Sequence, residues 1–256
     1  VKKSFILSSI ITVITLSLLA GQAYAKDPVL KRAKGYKKNL QTRIVKKIAL
    51  PKGYHEGLFY DDRYLWVANG KGIGTWIVDP GTGSIVSRIE PVGTFTEGIA
   101  EADKGFLWVT DWDEKMLYRV TINREKMVTE NEISLEPSRP TGVVRIKDTT
   151  YLIIWTRGLG TKYHLVEVND KGKILRKMRI KNIHEPAHLA WDGQHIWITS
   201  WYSQRVYKID LDSFTMLGDF KSPAPKTTGI TWDGEYLWVT GTYDGLYQIE
   251  VIDTTE

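Results

Sequence analysis

The sequence predicts an all-β chain: a five-bladed β-propeller of four-stranded blades, closed by an N-terminal strand completing the C-terminal blade. Three observations carry this expectation. One phrase recurs five times at a nearly constant interval. Each repeat holds several short strands bounded by turn residues. The strand missing from the last repeat is found ahead of the first.

The five segments are "HEGLFYDDRYLWVANG" from His55, "TEGIAEADKGFLWVTDW" from Thr96, "PTGVVRIKDTTYLIIWT" from Pro140, "PAHLAWDGQHIWITSW" from Pro186 and "TTGITWDGEYLWVTGT" from Thr227. Aligning Trp66, Trp108, Ile153, Trp197 and Trp238 gives intervals of 42, 45, 44 and 41. Within a unit, a short inner strand follows the glycine-like position and a polar turn such as "WDG" ends it. Next comes a run such as "YLWV", apolar throughout, which fits a strand covered on both faces. A third strand alternates in half-buried fashion, as in "VYKIDL", and a fourth follows another turn, as in "GSIVSRI". The last unit ends near Asp253 after three strands. "TRIVKKIALPKGYHEG", from Thr42, resembles the first unit's own exit, "GSIVSRIEPVGTFTEG", so it supplies the fourth strand and removes a free sheet edge. The propeller is assigned to residues 42–256.

Ahead of it, Lys2 and Lys3, an apolar run from Phe5 to Ala20 and Ala23-Tyr24-Ala25 read as a secretory signal over residues 1–25. A periplasmic or secreted location is the corresponding expectation. Residues 26–41 read as a basic, solvated leader. Residues 26–47 hold nine Lys or Arg and one acid, Asp27, for a charge of +8. Lys2 and Lys3 take the overall +5 to +3 without the signal, so the remainder carries 3 − 8 = −5. A basic leader on an acidic body excludes a nucleic-acid platform and offers only weak contact with an anionic membrane through residues 26–47. The chain holds no cysteine, hence no disulfide framework and no thiolate chemistry. A monomer is expected.

His184, Glu185 and His188 spell His-Glu-x-x-His, which on a helix would hold zinc with the glutamate as general base. Pro186 lies inside the motif, where it would remove a helical hydrogen bond and clash with the preceding turn. The segment stands at the junction entering the fourth repeat, so the match is accidental. No metal or cofactor is expected.

Propeller geometry brings the start of each inner strand and the end of each second strand to one mouth. The first set is Glu56, Glu97, Thr141, Ala187 and Thr228. The second is Gly70, Trp112, Arg157, Trp201 and Thr242, with Asn69, Asp111, Trp155, Tyr202 and Tyr243 close by. Carboxylates, an arginine and large aromatics thus converge on one concavity, the kind of place that hosts ligands. Trp66, Trp108, Trp197 and Trp238 are repeat-positioned and belong to inter-blade packing, and Asp192 and Asp233 form turns.

This pattern resembles the plant-type and bacterial glutamine cyclotransferases, five-bladed propellers, over residues 42–250. Tyr54-His55-Glu56-Gly57 stands where the family has Phe-Thr-Gln-Gly, and Phe95-Thr96-Glu97-Gly98 where it has Phe-Gly-Glu-Gly. Trp112 and Trp201 match its tryptophans. The resemblance implies conversion of an N-terminal glutamine to pyroglutamate, with Glu97 as proton shuttle and Trp112, Trp201 and Phe95 as the box around the substrate. The family lysine in the last blade is Thr242 here, its asparagine entering blade four is Ala187, its third-blade aromatic is Pro140 and its first-blade glutamine is Glu56. The favoured reading is therefore a binding propeller. Glu56, Phe95, Trp112, Arg157, Trp201 and Tyr243 receive a small molecule, peptide end or partner loop, with Glu97 as candidate catalytic group. An active cyclase is the alternative. A metal-dependent lactonase-like hydrolase ranks last, because the mouth lacks a set of four oxygen or nitrogen ligands.

Overall fold

The computed structural model describes residues 27–252, so the segment read as a signal lies outside the described residues. Every regular element among them is a strand. β1 (Lys31–Lys38) and β2 (Gln41–Ile48) precede the first blade, which comprises β3 (His55–Tyr60), β4 (Leu65–Asn69), β5 (Thr75–Val78) and β6 (Ile85–Ile89). The second holds β7 (Thr96–Asp103), β8 (Phe106–Asp111), β9 (Met116–Asn123) and β10 (Lys126–Ser134). The third holds β11 (Arg139–Ile146), β12 (Thr149–Thr156), β13 (Lys162–Val168) and β14 (Ile174–Ile180). The fourth holds β15 (Pro186–Trp191), β16 (Ile196–Ser200), β17 (Arg205–Asp210) and β18 (Thr215–Lys221). The fifth begins with β19 (Thr227–Trp232), β20 (Leu237–Gly241) and β21 (Leu246–Ile252). β2 pairs antiparallel with β21, Gln41 opposite Ile252 and Ile48 opposite Leu246, and completes the fifth blade as the sequence predicts.

The inner strands β3, β7, β11, β15 and β19 contact one another in ring order, and β19 returns to β3. The core is divided into clusters lying between successive blades. Trp108 packs with Leu152 and Ile154 of the third blade, Trp197 with Ile230 and Val239 of the fifth, and Trp238 with Leu58 and Val67 of the first. Trp108 is fully buried, so truncation to alanine would cost about 3–5 kcal/mol.

The turn aspartates do more than shape turns. Asp192 Oδ1 accepts the backbone N–H of Gln194 and His195, while Oδ2 accepts Trp197 Nε1–H at 2.7 Å. Asp61 with Trp66 and Asp233 with Trp238 repeat this lock. In blade two Asp103 pairs with Arg119 instead, and Trp108 Nε1 stays without a partner.

The basic leader departs from its reading as a solvated linker. Val29 bridges Arg179 on β14, β1 pairs parallel with β18 as a fifth strand of blade four, and β2 continues onto blade five. Residues 28–48 thus form a belt across three consecutive blades. Leu30 is 1% exposed in the cluster between blades three and four, Tyr36 packs against that cluster, and Leu40 packs against the next. Asp219 fixes the end of β1 by accepting Asn39 N–H at 3.1 Å and pairing with Arg205 at 2.6 Å. Leu30 and Ile48 are buried and Tyr36 and Leu40 half-buried, while Ile44, Val45 and most of the belt's lysines stay outside.

Candidate ligand-binding site at the propeller mouth

The inner strands approach closely at their glycines. A Cβ on Gly57 would stand 2.8 Å from Gly98 Cα, nearer than real Cβ atoms come. The residue before each of these glycines, Glu56 and Glu97, reaches the entrance of the ring. There a cavity of about 340 Å3 opens, lined by the carboxylates Glu56, Glu97, Asp113 and Glu185 and by the aromatics Tyr54, Phe95, Trp112, Trp155 and Trp201. Thr141 and Ala187 complete the lining, so neither lysine nor arginine belongs to it.

Local structure fixes these side chains. Asp111, at the end of β8, accepts the N–H of Thr94 and of Phe95, each at 2.7 Å, and of Glu114 at 2.8 Å, which sets the segment leading to Glu97. Phe95 lies over Gly70, where an added Cβ would be 2.6 Å from its ring. Tyr54 meets Phe95 edge-on at 5.4 Å. Trp112 and Trp155 meet edge-on at 4.9 Å, and Trp155 Nε1 donates to Pro186 O at 3.0 Å. Trp201 Nε1 donates to Thr242 Oγ1 at 3.2 Å. Cations stand at the rim: Arg139 over Trp112 at 5.2 Å, and Lys226 over Trp201 at 4.8 Å.

The electrostatics follow from burial and from like charges. Loss of hydration, then the charge of Glu97, pushes Glu56 well above the usual carboxylate range. Loss of hydration, then Asp111 and Asp113, raises Glu97 to about 8, even though Glu97 keeps part of its surface open to the cavity. Near neutral pH the free site therefore holds Glu97 largely protonated, beside a Glu56 whose charged form burial disfavours.

Of the sequence-predicted residues, Glu56, Phe95, Glu97, Trp112 and Trp201 come together in this cavity. Tyr243 is 62% exposed and packs edge-on against Tyr54 at 5.3 Å, at the rim. Arg157 is exposed on the loop after β12 and does not line the cavity. Tyr54, Asp113 and Glu185 also line the cavity, although none of them is among the sequence-predicted residues of the mouth. Tyr54, Phe95, Arg139, Glu185 and Lys226 all stand two residues ahead of the Glu56-like position, and that register is the signal that locates them. The His-Glu-x-x-His segment is not helical: His184 and Glu185 lie in a bend, Glu185 with a φ of 48°, and β15 begins at Pro186. His184 is exposed, Glu185 enters the cavity and His188 is buried in β15. Among the described residues no group of three or more His, Asp or Glu side chains is placed to hold a metal ion.

No protein-family model matches the sequence, and no curated protein matches it. Solved structures do match in fold. Glutaminyl cyclase from Myxococcus xanthus is 15% identical, with a TM-score of 0.70 over 85% of this chain and 100% of that one. The PQQ-bound aldose sugar dehydrogenase of Streptomyces coelicolor is 12% identical, with a TM-score of 0.56 over 82% of this chain and 98% of that one. A luciferin-regenerating enzyme is also 12% identical, with a TM-score of 0.56 over 84% and 96%. At these identities the likeness is one of fold.

Proposed function

We propose that the mouth binds an ammonium group, the protonated N-terminus of a peptide or a small amine. The observation that carries this reading is the lining itself, four carboxylates among five aromatic rings with no lysine or arginine between them. A cation over aromatic faces is attracted by their quadrupoles, and the attraction grows when water is excluded. Its charge also offsets the loss of hydration and the like charges that keep Glu97 protonated, so the ligand and the ionised carboxylate stabilise each other. The test is calorimetric titration with a short peptide bearing a free N-terminus against its N-acetylated form. Saturable binding of the free form alone supports the reading, and equal binding of both contradicts it.

A second reading, cyclisation of N-terminal glutamine, is favoured by the contrast between Glu97 and Glu56. A group raised to about 8 is suited to move protons near neutral pH. In this reading the neutral α-amine attacks the side-chain Cδ, and ionised Glu97 takes the proton from that nitrogen. The same proton passes to the leaving amide nitrogen, the Cδ–N bond breaks and ammonia departs. Glu56, held neutral, donates a hydrogen bond to the developing oxyanion. Lys226 supports this reading too. Its carbonyl accepts Thr242 N–H at 3.3 Å, which puts a lysine beside the position where the resembled family carries one. Ammonia release from a peptide with N-terminal glutamine, lost in Glu97→Gln, supports this activity. Absence of release from the folded protein contradicts it and leaves the binding reading standing.

A further inference from the structure

The same five inner strands end in a second cavity, of about 370 Å3, at the opposite mouth. About four residues separate the two ends of each strand, roughly 13 Å. His188, 2% exposed, stands between them where the other four blades carry glycine. The second cavity is therefore a distinct compartment, and the reading of the first mouth does not depend on it.

Its lining follows the repeat. Three residues after Gly57, Gly98, Gly142, His188 and Gly229 come Tyr60, Glu101, Arg145, Trp191 and Trp232, one from each blade, and all five line the cavity. The ring order divides them into two arcs. Blades two and three contribute opposite charges side by side, Glu101 and Arg145, with Lys147 beside Arg145. Blades four, five and one contribute Trp191, Trp232 and Tyr60. The neighbouring Asp103 is committed to Arg119 at 2.8 and 2.9 Å. Arg145 is oriented by Lys147 O at 3.0 Å and by Asp170 at 3.4 Å, and Asp148 stands 3.9 Å away. Glu101, the Lys147 ammonium and the indole N–H groups of Trp191 and Trp232 have no hydrogen-bond or ion-pair partner among the described residues.

We propose that this cavity binds a zwitterion with a flat apolar side chain, a free aromatic amino acid being the simplest example. Its ammonium sits on Glu101, its carboxylate on Arg145 and Lys147, and its side chain against Trp191, Trp232 and Tyr60. A single net charge would meet repulsion from one half of the charged arc. An uncharged ring would meet Trp191, Trp232 and Tyr60 but leave the charges of Glu101, Arg145 and Lys147 unmatched. A zwitterion satisfies both, and the cavity lies in the range that encloses small ligands.

The test is calorimetric titration of the full chain with L-tryptophan, N-acetyl-L-tryptophan and tryptamine, repeated with Glu101→Gln and Glu97→Gln. The proposal expects saturable binding of L-tryptophan that persists in Glu97→Gln, where the first mouth is disabled, with affinity in that variant reduced at least roughly tenfold for each analogue lacking one charge. It expects a similar loss in Glu101→Gln and none in Glu97→Gln. Glu101 is exposed, so its replacement leaves the fold intact, which a thermal melt verifies. Absence of saturable binding, equal affinity for the three compounds, or a loss in Glu97→Gln rather than Glu101→Gln would each overturn the proposal. The last outcome would place the ligand in the first mouth.

Discussion

Glu56 and Glu97 enter one cavity from the adjacent inner strands β3 and β7, and both are held above the ordinary carboxylate range by burial, with the charge of Glu97 adding to the effect on Glu56. The relationship dictates how amine binding depends on pH. A free N-terminus loses its proton at about 8, close to the value for Glu97. Below that pH, Glu97 must give up a proton for the ion pair to form. Above it, the amine must gain one. Affinity for a peptide N-terminus should therefore rise from about pH 6, peak near pH 8 and fall beyond it. A quaternary ammonium should show only the rising limb. Titrations across that range check both curves.

The same shift makes stability depend on pH. Between about 4.5 and 8 the folded chain holds a proton on Glu97 that the unfolded chain has lost, so stability falls as pH rises through that window. Glu97→Gln removes the effect. Its melting temperature should exceed that of the wild type by several degrees at about pH 9, and the gap should close toward pH 4. Thermal melts at the two pH values measure it.

Asp111 accepts three backbone N–H groups and thereby sets the path into Glu97. Asp111→Ala leaves those donors unmatched, and should cost about 2–4 kcal/mol in denaturant unfolding. It should also weaken amine binding, through displacement of Phe95 and Glu97 rather than loss of a contact. Restoring amine affinity with Asp111→Glu would contradict this, because the longer carboxylate cannot reproduce three short bonds.

Gly70 lies under Phe95, leaving no room for a methyl group. Gly70→Ala should push the ring toward the cavity and reduce amine affinity about tenfold, with a stability loss of about 1–3 kcal/mol. Combining it with Phe95→Ala should recover part of that stability, a double-mutant cycle being the direct reading of the contact.

The fold was legible because a blade is written five times, and each copy corrects the others. Trp108, Trp197 and Trp238 fall at one repeat position and pack between blades as that position implies. The belt was not legible, because lysines and arginines outnumber the apolar residues that seat it. Leu30, Tyr36 and Leu40 seat it at widely spaced positions, six and four residues apart, within a segment whose charge dominates any composition window. At the mouth, register located Glu56, Glu97, Trp112 and Trp201. Arg157 failed because the loop Gly158-Leu159-Gly160 that follows it is exposed and carries it away from the ring. Glu185 was hidden inside a motif whose helical meaning Pro186 forbids, although its repeat position matches that of Phe95.

The most direct measurement is the proton balance of amine binding, by calorimetry of one free-N-terminus peptide at about pH 7 in two buffers of different ionisation enthalpy. The mouth described above predicts release of most of one proton on binding, abolished together with most of the affinity in Glu97→Gln. Binding without proton release, and with undiminished affinity in Glu97→Gln, would contradict it.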